Sequence, residues 1–313
     1  MRILLAGASG ALGRTLTPAL VAAGHHVFGT TRTGNAGPIA AAGATPLTMD
    51  GLDRTSVLQA VEEARPDVII HQLTALRTGI DPKHFDRSFA TTNRLRTEGT
   101  DHLLEAARTF GVGRVLTQSF TGFTNPRTGP GLADETSGYD PDPAPAARQT
   151  LAAIRHVDET VGGATDLEGV VLRYGGFYGP GTGIAKGEDG DLLEMVRRRR
   201  MPVVGSGAGV WSFVHVADAA NATVAAVEAA APGLYNVVDD EPAPVSEWLP
   251  ALAAALGAKP PRPLPLWLAR PLLGEHGVNL MTKIRGSSNA KAKRELGWTL
   301  TYPTYRVGFA TGL

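Results

Sequence analysis

A glycine triplet after a short apolar run constrains this chain more than any other stretch. Ile3 to Ala6 is apolar without interruption, as in a strand buried on both faces of a parallel sheet. Gly7, Gly10 and Gly13 follow at spacing three, and Leu12, Leu16, Ala19, Leu20 and Ala23 then recur at helical period. A strand turning sharply into a helix presents free backbone N–H groups and the positive end of the helix dipole. Glycine suits that turn because a side chain would block it or hold a phosphate away from the amides. Gly7, Ser9, Gly10, Ala11, Leu12 and Gly13 are therefore the expected contacts of a dinucleotide. A signal peptide is the competing reading, but three glycines, Ser9, Arg14 and two threonines break the apolar run it would need. Pro18 falls inside the helix and predicts a kink there, not an end.

The second strand, Val27 to Thr31, ends at Arg32. An acidic residue at that point would bind a ribose 2′-hydroxyl and repel a 2′-phosphate. Thr31 and Arg32 offer a hydroxyl and a guanidinium instead, so NADP is expected over NAD. Further strands are expected at Thr45–Met49, Val68–His71, Val112–Gln118 and Val170–Arg173, separated by helical patterns that include Thr91–Phe110. Ser119 and Thr121 then fall just beyond the fifth strand, where open α/β sheets bind ligands. His71 has no metal-ligand spacing to other candidates and reads as a satisfied strand-end histidine. Asn93 is a candidate buried bridging amide.

Residues 124–146 are rich in Gly, Pro and Asp without periodicity, and predict a lid over the substrate. A second glycine-rich turn follows at Tyr174–Gly181. The run Arg197–Arg200 closes a helix, suits its dipole, and has no interleaved aromatics, so it reads as a solvated face and not as a nucleic-acid patch. Thirty basic and thirty acidic residues leave no net charge to draw the chain to nucleic acid or anionic membranes. No stretch nears the roughly 20 apolar residues that span a bilayer. The absence of cysteine excludes disulfides, thiolate nucleophiles and zinc–sulfur sites, and fits a cytoplasmic protein. No metal is expected.

Four segments together are more specific than the glycines alone: Gly7–Gly13; Asn93–Ala107 with Gly111–Val115; Leu172–Gly181; and Ser212–Asp218. With the tail Asn289–Trp298, they make the chain resemble the extended short-chain dehydrogenase/reductases, the NAD(P)-dependent epimerase/dehydratase group. The resemblance implies an α/β fold, a doubly wound parallel sheet (Rossmann fold) with a smaller C-terminal substrate-binding domain. Residues 1–178 would form the dinucleotide-binding part, with 211–240 returning to it, and 179–313 the substrate part. It implies further that Ser119 is the catalytic hydroxyl, that Asp50 and Gly51 meet the adenine, that Leu73, Thr74 and Ala75 flank the ribose, and that Gly176 and Phe177 lie near the nicotinamide. The implied partner is a small molecule, with a homodimer left open.

The pattern breaks at one point. The family's Tyr and Lys, four residues apart on the helix after the long loop, have no counterpart, since none of the six tyrosines has Lys four residues on. Aligned on Glu159, the two positions hold Leu151 and Arg155. Arginine does not titrate at ordinary pH, so Arg155 is expected to anchor ribose or pyrophosphate by charge. Tyr139, Tyr178 and His156 are the candidate substitute acids. The sequence thus predicts an NADP(H)-binding oxidoreductase-like or epimerase-like enzyme acting on a small carbonyl or hydroxyl compound. A non-redox lyase, cyclase or aldolase, or a non-catalytic NADP-binding regulator, are the alternatives.

Overall fold

The computed structural model describes residues 1–32, 34, 36–76, 80–185 and 191–313. Its centre is a seven-stranded, wholly parallel sheet. The strands are β1 (Arg2–Ala6), β2 (His26–Thr31), β3 (Thr45–Thr48), β4 (Val68–His71), β5 (Arg114–Phe120) and β6 (Glu168–Tyr174). With the later strand Gly233–Val237 at one edge, the order is that strand, then β6-β5-β4-β1-β2-β3. Chain direction reverses its spread at β1, so the carboxyl ends of β1 and β4 flank a crevice.

Helices cover both faces. Helix α1 (Ala11–Ala22) packs with Val216–Ala229 on one face, through Leu12, Leu16, Leu20, Ala219 and Ala222. On the other lie α2 (Arg54–Ala64), α3 (Thr100–Phe110) and α4 (Arg148–Gly162), through Val57, Val61, Leu103, Ala107 and Val161. Helix α1 continues through Pro18, which is exposed. Asn93 and Arg96 sit on the helical segments before α3, where Leu95–Gly99 forms a wide π-type turn. Such turns expose or redirect side chains, often at functional sites.

A second core forms from Tyr178, Phe213, Trp248, Tyr305 and Phe309, beside α5 (Val245–Ala255) and α6 (Leu266–Thr282). Helix α6 breaks at Gly274, whose φ of 68° suits glycine. Polar atoms are trapped in this core: Tyr178 OH, Tyr305 OH, Trp248 Nε1 and Asp239 Oδ2 are buried without partners. Burial pushes the Asp239 carboxyl from the ordinary 3.8 up to about 8.

Asp239 therefore ties stability to pH. The unfolded chain releases this proton near 3.8 and the folded chain near 8, so the contribution is full below about pH 4 and lost as pH rises to about 8. The Asp239→Asn variant, which keeps the acceptor for the Glu241 amide, is expected to melt above the parent at about pH 8 and close to it at about pH 4. Thermal melts across that range check it; parallel curves for the two proteins would remove Asp239 as the cause.

Candidate active site

The glycine turn has the shape that a phosphate cradle requires. Gly7 has φ 99°, and a Cβ there would stand 2.8 Å from the Gln72 carbonyl oxygen. A Cβ on Gly13 would overlap the Gly7 carbonyl oxygen, so α1 approaches β1 only because both residues lack one. Thr30 Oγ1 accepts the Gly7 N–H at 3.2 Å and holds the turn against β2. Arg14 is the first residue whose N–H bonds back along the helix, to Gly10 O, and no side chain caps the turn. The amides of Ala11, Leu12 and Gly13 thus precede the helical ladder, and Ser9 and Gly10 are exposed above them. This cradle fits a dinucleotide pyrophosphate.

The expected adenine and ribose residues are brought together beside it. Asp50 Oδ1 accepts the Leu52 N–H at 3.0 Å, turning the chain so that Gly51 lies flush under Leu73 and Leu95. Leu73 O accepts from Gln118 Nε2 at 2.9 Å, and the Ala75 N–H bonds Thr92 Oγ1 at 3.1 Å. Thr74 is exposed, as is Arg32 at the end of β2, while Thr31 is buried. Gly176 and Phe177 begin a short strand paired with Phe213–His215. His71 is satisfied on both nitrogens, by the Leu73 N–H and the Leu95 carbonyl.

Ser119 lies inside β5, not beyond it, because pairing with β6 carries the strand to Phe120 and sets Ser119 opposite Arg173. Its Oγ is buried beside Asp158 and makes no hydrogen bond of good geometry. Asp158, which the sequence reading missed, is the hub. Its Oδ2 accepts from Arg173 Nε at 2.7 Å and from the Tyr139 hydroxyl at 2.9 Å. Burial pushes the Asp158 carboxyl up, against the pull of Arg173. Arg96 is also buried, with Nε and Nη1 unpartnered, and burial lowers it to about 10 against the opposing charge of Asp158. Asn93 is buried as anticipated, its Nδ2 donating to Thr150 Oγ1 at 3.0 Å, but its Oδ1 has no partner, so it does not bridge.

Asp158 also corrects the alignment of α4. Glu159 is exposed and paired with Arg155, and Asp158 is the carboxylate that faces the sheet. The inward positions eight and four residues before it hold Thr150 and Ile154, both fully buried. Arg155 is 59% exposed, its guanidinium turned outward over the Tyr139 ring, so the structure does not bring it to the cofactor groove. The signal was present as an i, i+4, i+8 row on the apolar face of α4.

Two more expected catalytic residues are placed elsewhere. Tyr178 is in the second core, its hydroxyl sealed against Gly308, and burial pushes it up. Thr121 is 1% exposed, and its hydroxyl is taken by Ser287 Oγ at 2.6 Å and Asn125 Oδ1 at 3.2 Å. Of the substitute acids, His156 faces Asp101 on the surface, and Tyr139 is bound into the Asp158 pair.

The loop 124–146 is strapped down and is not a free lid. Arg285 donates to the carbonyls of Thr128, Pro130, Gly131 and Leu132. Ala133 bridges Ser287, with backbone bonds of 2.8 Å to Gly286 and Ser288. A cleft of about 670 Å³ lies between this loop and Thr282–Arg285, lined by none of the glycine-cradle residues.

Cradle, crevice and buried serine define a nucleotide-dependent enzyme of the Rossmann type. The chain belongs to the NAD dependent epimerase/dehydratase family, whose model matches residues 3–237. It is 46% identical over 308 residues, covering 98% of this chain and 99% of the relative, to a Streptomyces protein named 3-diazoavenalumate denitrifying reductase. It is 30% identical, over 82% of this chain and 76% of the relative, to a 2-alkyl-3-oxoalkanoate reductase of Stenotrophomonas maltophilia. Among solved structures, a UDP-glucose 4-epimerase of Thermotoga maritima with UDP-glucose shares the fold at TM-score 0.78 and 20% identity, covering 100% of this chain and 97% of that one. The chain is an NAD(P)-dependent oxidoreductase-like enzyme.

The strap makes a direct expectation. Replacing Arg285 by Ala removes the donor to four carbonyls, and amide exchange at Ala133 and Ser288, whose N–H groups bond across the strap, should accelerate at least about tenfold while exchange in β1 and β4 stays unchanged. Hydrogen-exchange mass spectrometry reads both regions; unchanged protection in the loop would show that Arg285 does not hold it.

Proposed function

We propose that this chain is an NADP(H)-dependent reductase whose substrate is a small diazonium compound, reduced with loss of dinitrogen. One observation carries the reading: the inner face of α4 presents Thr150 and Ile154 where a proton donor would stand. Thr150 is committed to Asp86 and Asn93, and isoleucine carries neither charge nor proton. When bound, reduced nicotinamide supplies a hydride. A carbonyl that accepts hydride becomes an alkoxide and needs an acid at once. A diazonium cation, R–N2⁺, that accepts it at the terminal nitrogen becomes a neutral diazene, R–N=NH. The diazene expels N2 as its hydrogen passes to carbon, leaving R–H, and no proton is consumed. The name of the Streptomyces relative, with its 46% identity along 98% of this chain, supports the same chemistry here.

In this reading the amides of Ala11, Leu12 and Gly13, with Ser9 and Gly10 exposed above them and Gly7 beneath, hold the pyrophosphate. Asp50 and Gly51 border the adenine, Leu73, Thr74 and Ala75 the ribose, and Gly176 and Phe177 the nicotinamide. Ser119 turns its oxygen lone pairs toward the cationic nitrogen. Thr31 and Arg32 favour the 2′-phosphate. A second reading, carbonyl reduction with Ser119 and Asp158 as a relay, is favoured by the burial that raises the Asp158 carboxyl.

A test uses purified protein, NADPH and nitrogen-15-labelled 4-carboxybenzenediazonium, against a panel of ketones. The expected result is one labelled N2 and one benzoate per NADPH oxidised, well above the protein-free rate, with Ser119→Ala slower by about tenfold or more. Ketone turnover with no acceleration of N2 release would establish the second reading instead.

Cofactor choice is tested separately by titration. Charge-assisted bonds from Arg32 are worth about 1.5–3 kcal/mol, roughly ten- to a hundredfold in Kd, so NADP should bind tighter than NAD and Arg32→Ala should abolish the difference. Tighter NAD binding by the parent protein would overturn the assignment.

A further inference from the structure

Five rings from three distant segments meet beside the N-terminus of α4. Phe85 and Phe89 are 4.4 Å apart, Phe85 and Phe123 5.3 Å, and Phe120 and Phe123 5.3 Å between centroids. Helix α6 adds His276, 4.3 Å from Phe85 and edge-on to Phe123 at 5.3 Å. Glycine makes this approach feasible: a Cβ on Gly274 would stand 3.1 Å from Lys83 Cγ, and one on Gly277 3.1 Å from Pro82 Cβ.

His276 differs from His71 and His215, and shares an unpartnered Nε2 with His25, which has the Glu228 carboxylate 3.5 Å away. His71 and His215 each have both ring nitrogens engaged. The Nε2 of His276 has no partner, though the residue is only 4% exposed. The neighbouring Asp86 carboxylate does not satisfy it, because it accepts from the Gln149 and Thr150 amides and the Thr150 hydroxyl. A buried ring nitrogen left bare is unfavourable, and a ligand's polar substituent would satisfy it. The cluster is tied to the inner face of α4 through Asp86, beside Phe85, which accepts from the Thr150 hydroxyl at 2.6 Å.

We propose that the rings of Phe85, Phe120 and Phe123, with His276, form the subsite for a planar aromatic group of the substrate, whose polar substituent hydrogen-bonds His276 Nε2. Aromatic rings stack or meet edge-on at these spacings, and their faces attract positive charge, which suits an aryldiazonium cation. The neutral imidazole adds no opposing charge: burial lowers it to about 4, with Asp86 pulling the other way. The inference takes the position of the reacting group from the reductase reading, but binding tests it without turnover.

Isothermal titration of the NADP-loaded protein with acetophenone, 4-hydroxyacetophenone and cyclohexyl methyl ketone provides the test. Acetophenone should bind about tenfold tighter than the saturated ketone, and the hydroxyl should add about tenfold more. His276→Phe should cancel only the hydroxyl's gain, and Phe123→Leu should narrow the aryl preference, both with melting temperatures near the parent's. His276→Gln is the second variant if the phenylalanine does not fold. Equal affinity for aryl and saturated ketones, no binding of any, or a hydroxyl gain that survives loss of His276 would overturn the subsite. Failure of diazonium turnover with these differences intact would count against the reductase reading alone.

Discussion

The buried pair between Arg173 and Asp158 fixes how the active-site helix meets the sheet. One partner stands on β6 and the other on α4, with side chains 7% and 1% exposed. Removing one charge from such a pair costs about 3–5 kcal/mol because the other is left stranded, so the helix has a single tolerable rotation. That rotation points Thr150 and Ile154 inward and Arg155 outward. It also places Asp158 beside Ser119, gives the Tyr139 hydroxyl its acceptor, and draws the loop end at Tyr139 onto α4. Which side chains stand four and eight residues before Asp158 on the inner face is thus a consequence of which residue pairs with Arg173.

Local patterns were legible wherever backbone geometry governs them. The β1 run and the glycine spacing predicted the cradle because steric overlap at Gly7 and Gly13 admits no other residue. His71 was read as satisfied, and so it is; Asn93, read as a buried bridging amide, is buried but engages through Nδ2 alone. The α4 face was misjudged by one position because Asp158 and Glu159 are adjacent carboxylates, and only a distant residue on β6 decides between them. Thr121 and Tyr178 resembled site residues because they follow strand ends. Both are claimed by segments far along the chain, Ser287 and Gly308, which no local window contains. The aromatic cluster escaped notice for the same reason, since Phe85, Phe123 and His276 show no periodicity among themselves.

The strap has a consequence for how the molecule comes together. Residues 124–146 flank the active-site helix, yet their fixed shape depends on Arg285 and Ser287, some 150 positions later in the chain. Contacts that distant in sequence carry a loop-closure cost that must be met before they stabilise anything. During synthesis the parallel sheet can assemble through β6 while this loop is still unclamped. The active site would then be among the last regions to mature, set only when the segment around residue 287 leaves the ribosome and docks against it.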